Sequence, residues 1–131
     1  MSGDKAMHCN NCKSQEAALY QTYIVNSPDI IIIILNRGKR FEFNVKLEFT
    51  ELLDLQNYVK NYNGVSSNYK LIGIVTNLGE SGASGHFMAY CRSPIDNKWY
   101  QYNDDLCNDV NNFKKDVIDF AMPYILFYQR Q

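Results

Sequence analysis

Residues 30–35 are five isoleucines and a leucine, set off by Pro28 and Asp29 before them and Asn36 after. A β-branched run of that length between turn formers predicts a strand buried on both faces, in the middle of a sheet. Elsewhere the apolar positions alternate. Tyr20, Thr22 and Ile24 are interleaved with Gln21, Tyr23 and Val25 in the segment 15–26, and Phe41, Phe43, Val45, Leu47 and Phe49 with Glu42, Asn44, Lys46 and Glu48. Period two over that span is the pattern of strands with one wet face. At Thr50 the regime changes, because Leu52, Leu53, Leu55, Tyr58 and Val59 can share a helical stripe after a Thr-Glu start, so residues 50–58 predict a short helix or turn.

The polar stretch 61–68 reads as a surface connection into a strand over 69–75. Residues 77–85 form a second connection, with Gly79, Gly82, Gly85, Ser81 and Ser84, a composition that lets another backbone approach closely. Residues 87–92 and 98–102 read as a hairpin around Ser93-Pro94-Ile95-Asp96, with Pro94 preset for the first central position of the turn. A helix capped by Asn111 or Asn112 over 111–120 and a closing apolar strand over 124–128 complete the chain. The sum is an α+β fold, an antiparallel-dominated sheet with one or two short helices and no internal repeat.

That hairpin is where chemistry enters. If Arg92 pairs with Asn97 across a four-residue loop, His86 falls opposite Asn103. Directly opposed Cβ atoms lie about 4.5–5.5 Å apart, so the Asn103 oxygen could accept a hydrogen bond from His86 Nδ1 and leave Nε2 as the basic nitrogen. A bulge or a one-residue change of loop would put Asp104 there instead, so both residues stand as orienters of the imidazole. Cys91, five positions beyond His86 on the same strand, points to the other face and reads as core rather than as a nucleophile.

Charge and composition narrow the partners. Thirteen basic against fourteen acidic side chains leave a net charge of −1, without the electrostatic footprint of a phosphate-backbone binder, so no nucleic-acid partner is expected. No apolar run approaches the roughly 20 residues of a membrane-crossing helix. The amino terminus has no charged-then-apolar secretory pattern, and the four cysteines do not make a disulfide framework. A reducing intracellular compartment, cytoplasmic or nuclear, is the expectation. Two of the cysteines stand as Cys9-Asn10-Asn11-Cys12, a spacing suited to a metal or a redox site. A redox role normally opens a helix after a βαβ strand, whereas here strand-like sequence follows. Trp99, Tyr100, Tyr102 and Phe127 read as sheet packing, and the Lys114-Lys115 pair as a solvated helix face.

The segments Leu71-Ile72-Gly73-Ile74-Val75, Gly85-His86-Phe87-Met88-Ala89-Tyr90-Cys91-Arg92 and Trp99-Tyr100-Gln101-Tyr102-Asn103-Asp104 together resemble the histidine box of ubiquitin-specific proteases. Pro123-Tyr124-Ile125-Leu126-Phe127-Tyr128 resembles that domain's closing strand, and Cys9-Asn10-Asn11-Cys12 its second zinc knuckle. The resemblance implies one partial domain over 1–131, the carboxy-terminal part of a papain-like thiol protease domain (its palm and fingers), with the half-knuckle at 9–12 and the histidine box at 69–104. It implies a parent enzyme that hydrolyses isopeptide or peptide bonds at the carboxy terminus of ubiquitin, with His86 as general base and Asn103 or Asp104 as orienter. Gly79, Gly82 and Gly85 would border the channel for the ubiquitin tail, and Cys9 and Cys12 would supply half of a structural zinc site.

The expected partners are ubiquitin, ubiquitinated proteins and the amino-terminal part of the same domain, which in the family carries the nucleophilic cysteine. Nothing in this sequence resembles that cysteine box, so the isolated chain is expected to be inactive. The alternative is a non-catalytic ubiquitin-binding module or pseudoenzyme fragment. The family often places histidine where this chain has Asn77.

Overall fold

The computed structural model describes residues 7–16, 21–36, 47–60, 64–81, 84–119 and 122–131. Nine strands organise them, beginning with a small hairpin of β1 (Met7–His8) and β2 (Gln15–Glu16). The remaining seven form one sheet: β3 (Ile30–Ile34), β4 (Leu52–Asp54), β5 (Asn68–Ser81), β6 (Ser84–Arg92), β7 (Trp99–Asn103), β8 (Leu106–Val110) and β9 (Pro123–Arg130). Their order is β3-β9-β5-β6-β7-β8, with β4 paired to the start of β5, and every pairing is antiparallel. The antiparallel α+β class expected from the sequence is the one observed.

Register explains which side chains are buried. Ile33, Leu126, Ile74, Tyr90, Gln101 and Asn108 are successive partners across six strands and therefore point to one face. That face holds the core: Tyr69, Leu71, Ile74, Tyr90, Trp99, Leu126 and Tyr128 are buried, and Val117 closes over them. Each fully buried aliphatic or aromatic side chain contributes about 1.5–3 kcal/mol relative to exposure. Polar ends within this layer are satisfied. The Tyr69 hydroxyl donates to the Pro28 carbonyl at 2.8 Å and the Tyr128 hydroxyl to the Thr50 carbonyl at 2.7 Å, tying the sheet to the segments that flank β3 and β4.

The next row, Ile32, Phe127, Gly73, Cys91, Tyr100 and Asp109, points the opposite way. There the isoleucines are open: Ile30, Ile32 and Ile34 alternate with the half-buried Ile31 and Ile33. This corrects the mid-sheet assignment of the isoleucine run. Among the described residues β3 is an edge strand with one covered face, because a run with no polar partner residues carries no period to say how many faces are covered. Cys91 is corrected in the same way. It points away from His86, but onto the open face and not into the core.

Other elements also depart from the sequence pattern. Residues 52–54 are strand, not helix: Leu52, Leu53 and Asp54 pair with Lys70, Tyr69 and Asn68, and only Gln56–Tyr58 make a single 3₁₀ turn. Tertiary pairing with β5 overrode the helical stripe. Residues 77–85 are mostly extended, since β5 runs on to Ser81 and β6 starts at Ser84, with a register shift between Leu78 and Ser81. Strand β8 had no counterpart in the sequence reading. The helix expected over 111–120 is one π-type turn, Lys114–Ile118. Asn112 caps it, its Oδ1 accepting the Lys115 amide at 3.1 Å while the Asp116 carboxylate accepts the Asn112 amide at 3.0 Å. Phe113, just before the turn, stacks on Trp99 with centroids 4.1 Å apart, which makes Trp99 the core residue its pattern predicted. The alternating stretch 41–46 and most of 15–20 lie outside the described residues; of that pattern, residues 47–50 are not strand and Phe49 packs against the core.

No helix among the described residues is long and apolar enough to cross a membrane.

Candidate functional site

His86 sits near the start of β6 and Asn103 at the end of β7, so both stand at one end of the sheet. The β6–β7 ladder pairs Ala89 with Tyr102, Tyr90 with Gln101, Cys91 with Tyr100 and Arg92 with Trp99. That register is two residues away from the pairing of Arg92 with Asn97 expected from the sequence. The connecting loop is longer, because the Ser93 carbonyl accepts the Asn97 amide at 3.0 Å and Asn97 then adopts a left-handed φ of 60° to re-enter the sheet.

A shift of two preserves parity. His86 and Asn103 therefore stay on the same face but as diagonal, not directly opposed, neighbours, still within reach of long side chains. The side chains meet: His86 Nε2 is hydrogen-bonded to Asn103 Oδ1. The ring nitrogen in the bond is Nε2, where the sequence reading had Nδ1. Since an amide oxygen only accepts, Nε2 carries the proton in the neutral ring and Nδ1 keeps the lone pair. Asp104 is the more distant partner, its Oδ2 lying 3.9 Å from the same nitrogen. It occupies the two-residue turn into β8 with a φ of 49°, and its side chain is four-fifths exposed, whereas Asn103 is half-buried on the strand. The geometry favours Asn103 as the residue that holds the ring.

The same face supplies a second row behind the pair. Gln101 Nε2 donates to the Tyr90 hydroxyl at 2.9 Å and lies 4.0 Å from Met88 Sδ, so Met88, Tyr90 and Gln101 form a half-buried layer between the core and the imidazole. Their period-two spacing was visible in the sequence, but their hydrogen bonding depended on the register. Roughly half of the His86 side chain faces solvent.

Beside it, His86 pairs through its backbone with Leu78, which places Gly79 on β5 and Gly85 on β6 next to the imidazole strand; Gly82 lies outside the described residues. Asn77, one position before Leu78, is 2% exposed, and neither its side-chain oxygen nor its nitrogen has a hydrogen-bond partner. A buried amide left so costs about 1–3 kcal/mol.

Cys9 and Cys12 lie in the turn between β1 and β2, remote in sequence from the histidine end. The Cys9 amide donates to the Ser14 carbonyl at 3.0 Å, and the Lys13 amide to the Cys9 carbonyl at 2.7 Å. Lys13 takes a left-handed φ of 55° to close the knuckle. The Cys12 sulfur is 3.0 Å from the Ser14 hydroxyl; hydrogen bonds from Ser14 first, and from Cys9, lower its pKa from 9.0 to about 7. Both thiols are exposed, and a thiolate-favouring turn of this kind fits two corners of a tetrahedral zinc site. Among the described residues no group of three or more His, Cys, Asp or Glu side chains completes it.

This arrangement has relatives. The family model for ubiquitin carboxyl-terminal hydrolases matches residues 2–128. The chain belongs to that family. Among curated members, ubiquitin carboxyl-terminal hydrolases 16 and 10 of Arabidopsis thaliana are each 34% identical to it over 99% and 97% of its length, and number 15 of Rattus norvegicus is 27% identical over all of it. The chain spans only 13–14% of those relatives. Among solved structures, a SAGA DUB module containing Ubp8 bound to monoubiquitin superposes with a TM-score of 0.76 at 27% identity, covering 98% of this chain and 29% of the matched one. The Ubp8 module bound to ubiquitin aldehyde gives 0.75 at 25% identity, over 99% and 30%. The ubiquitin carboxyl-terminal hydrolase fold thus accounts for nearly the whole chain, while the chain accounts for less than a third of the solved hydrolase.

Proposed function

We propose that this chain is the histidine-bearing, carboxy-terminal part of a thiol-dependent deubiquitinase domain, and that His86 and Asn103 are two members of its triad. The observation that carries this is the His86–Asn103 hydrogen bond at an open end of the sheet, in a chain of the ubiquitin carboxyl-terminal hydrolase family. With Nε2 engaged by Asn103, Nδ1 is the nitrogen free to take a thiol proton. A cysteine supplied by the amino-terminal part of the same domain would donate that proton and attack the carbonyl at the ubiquitin carboxy terminus. The imidazolium then returns the proton to the leaving amine as the carbon–nitrogen bond breaks. Water, deprotonated by the same imidazole, cleaves the thioester and releases the ubiquitin carboxylate and the thiol. Asp104 adds charge near the ring without replacing Asn103.

The extended β5–β6 hairpin supports a place for the ubiquitin tail, with Gly79 and Gly85 beside the histidine strand and Gly82 between them in sequence. Cys9 and Cys12 would hold a structural zinc together with two ligands from outside the described residues, cross-linking two knuckles; the metal takes no part in the hydrolysis. Four unpaired cysteines fit a reducing compartment, cytoplasmic or nuclear.

The test uses a fluorogenic amide of the ubiquitin carboxy terminus. The isolated chain should give no turnover above buffer, and the longer protein should lose turnover with His86→Ala while keeping ubiquitin affinity within about tenfold, since a general base acts mainly in the transition state. Turnover by the isolated chain that Cys107→Ser removes would sink the assignment of the nucleophile, and loss of binding with His86→Ala would point to a recognition role for that residue.

A further inference from the structure

At the end of the sheet opposite His86 a cavity of about 390 Å³ opens where β5 leaves β4 and joins β6. Lys70 of β5, Arg92 of β6 and Arg130 of β9 line it, three cations from three adjacent strands, and no aspartate or glutamate is among the lining residues. In a chain whose net charge is −1 that clustering is a local excess.

The cations are held in place and incompletely neutralised. Arg92 is only 19% exposed; its Nε donates to the Asn97 carbonyl at 3.3 Å, and its nearest carboxylate, Glu51, is 3.8 Å away and half exposed. Arg130 is fixed by the Ser27 carbonyl at 2.8 Å and by Asp29. Lys70 is half-buried and makes no ion pair among the described residues. Partly buried cations are costly unless an anion or several hydrogen bonds compensate them. Arg92 and Lys70 have less than that from the chain itself.

We propose that this groove binds a phosphate group carried on a peptide segment. Three donors arriving from separate strands suit the three oxygens of a phosphate better than one planar carboxylate. The cavity holds on the order of a dozen water volumes, far more than a bare ion fills. Ile72 and Pro94 give it apolar walls for the residues beside the phosphate, while Ser93, Asn97 and Gln129 offer hydrogen bonds to a main chain. From Arg92 to His86 is six residues of strand, about 20 Å. A segment seated here would thus anchor a phosphorylated protein away from the histidine end, and the assignment does not depend on what His86 does.

The experiment is a titration of the isotopically labelled 131-residue chain with a short capped phosphoserine peptide, its unphosphorylated form and inorganic phosphate, followed by amide resonances. Saturable shifts confined to residues 70–72, 92–97 and 129–131, with the phosphopeptide only, are expected. Arg92→Gln and Lys70→Gln should each weaken binding about tenfold or more, in line with the loss of one charge-assisted bond. Lys70, with no ion pair to lose, keeps the test valid if Arg92→Gln perturbs the fold. Equal binding of the unphosphorylated peptide, or full affinity in Lys70→Gln, would overturn the site. Inorganic phosphate binding as tightly as the phosphopeptide would overturn the peptide as its carrier.

Discussion

The histidine end of the sheet and the Cys9–Cys12 knuckle were equally conspicuous in the sequence, yet the fold treats them differently. His86 and Asn103 are carried by strands with paired neighbours, above a layer of Met88, Tyr90 and Gln101 and a core that includes Tyr90 and Trp99. Cys9 and Cys12 hang from two strands of two residues each, and both are exposed. A hydrogen-bonded pair set by a long ladder is organised by the chain itself. A metal half-site on a short hairpin is complete only when other ligands arrive, because a hairpin alone is marginal in water.

The contrast is broken most severely at the histidine end. In the longer protein His86→Ala should cost on the order of 10²- to 10⁴-fold in kcat, and Asn103→Ala should cost more than Asp104→Ala, measured on a ubiquitin carboxy-terminal amide. A larger loss for Asp104→Ala would reverse the assignment of the orienter. Next in size is the support beneath the pair: Leu71→Ala, at a fully buried position, should destabilise the chain by about 2–5 kcal/mol in urea unfolding. Cys9→Ser, in the metal-free chain, should leave the urea midpoint where it was. If the cysteine change proved as costly as Leu71→Ala, the knuckle would be part of the folding unit after all.

A gain is expected at Asn77. Replacing its unpartnered amide by leucine, of similar volume, should stabilise the isolated chain by about 1 kcal/mol in the same unfolding experiment, since no hydrogen bond is lost and a desolvation cost is removed.

The smallest effect is kinetic and confined to the knuckle. With its pKa lowered to about 7, the Cys12 thiol of metal-free protein should be alkylated by iodoacetamide at a rate that rises through pH 7 and then levels. Cys91, whose thiol burial pushes above 9.0, should still be accelerating at pH 9. Peptide mass spectrometry separates the two sites, and identical pH profiles would mean that the Ser14 hydroxyl does not support the Cys12 thiolate.

Legibility differed by residue in a way that follows from what each pattern encodes. The hairpin of β6 and β7 was visible because Pro94 and Asp96 mark a turn between alternating segments, and its faces were right because a register error of two leaves parity intact. Its exact pairing was hidden, since the left-handed turn at Asn97 is permitted by the sequence without being required. Asp96, which accepts a 2.7 Å hydrogen bond from the Tyr100 hydroxyl, stabilises that longer loop through a contact no local signal announces. Strand β8, with the pattern Leu-Cys-Asn-Asp-Val, is nearly all exposed and offers no hydrophobic alternation to find. The stripe at 52–59 was a genuine helical pattern that lost to pairing with β5.

By itself, the order of residues determined the antiparallel class, the family, the parity that separates His86 from Cys91, and the nearness of His86 to Asn103 and Asp104. Those follow from local periodicity and turn chemistry, which act over a few residues. Tertiary structure alone decided that the isoleucine strand lies at an edge, that the imidazole presents Nε2 to Asn103, and that Lys70, Arg92 and Arg130 meet at the far end of the sheet. Each of these depends on which strands become neighbours and in what register, a choice made by burying apolar area across the whole chain and written in no single segment of it.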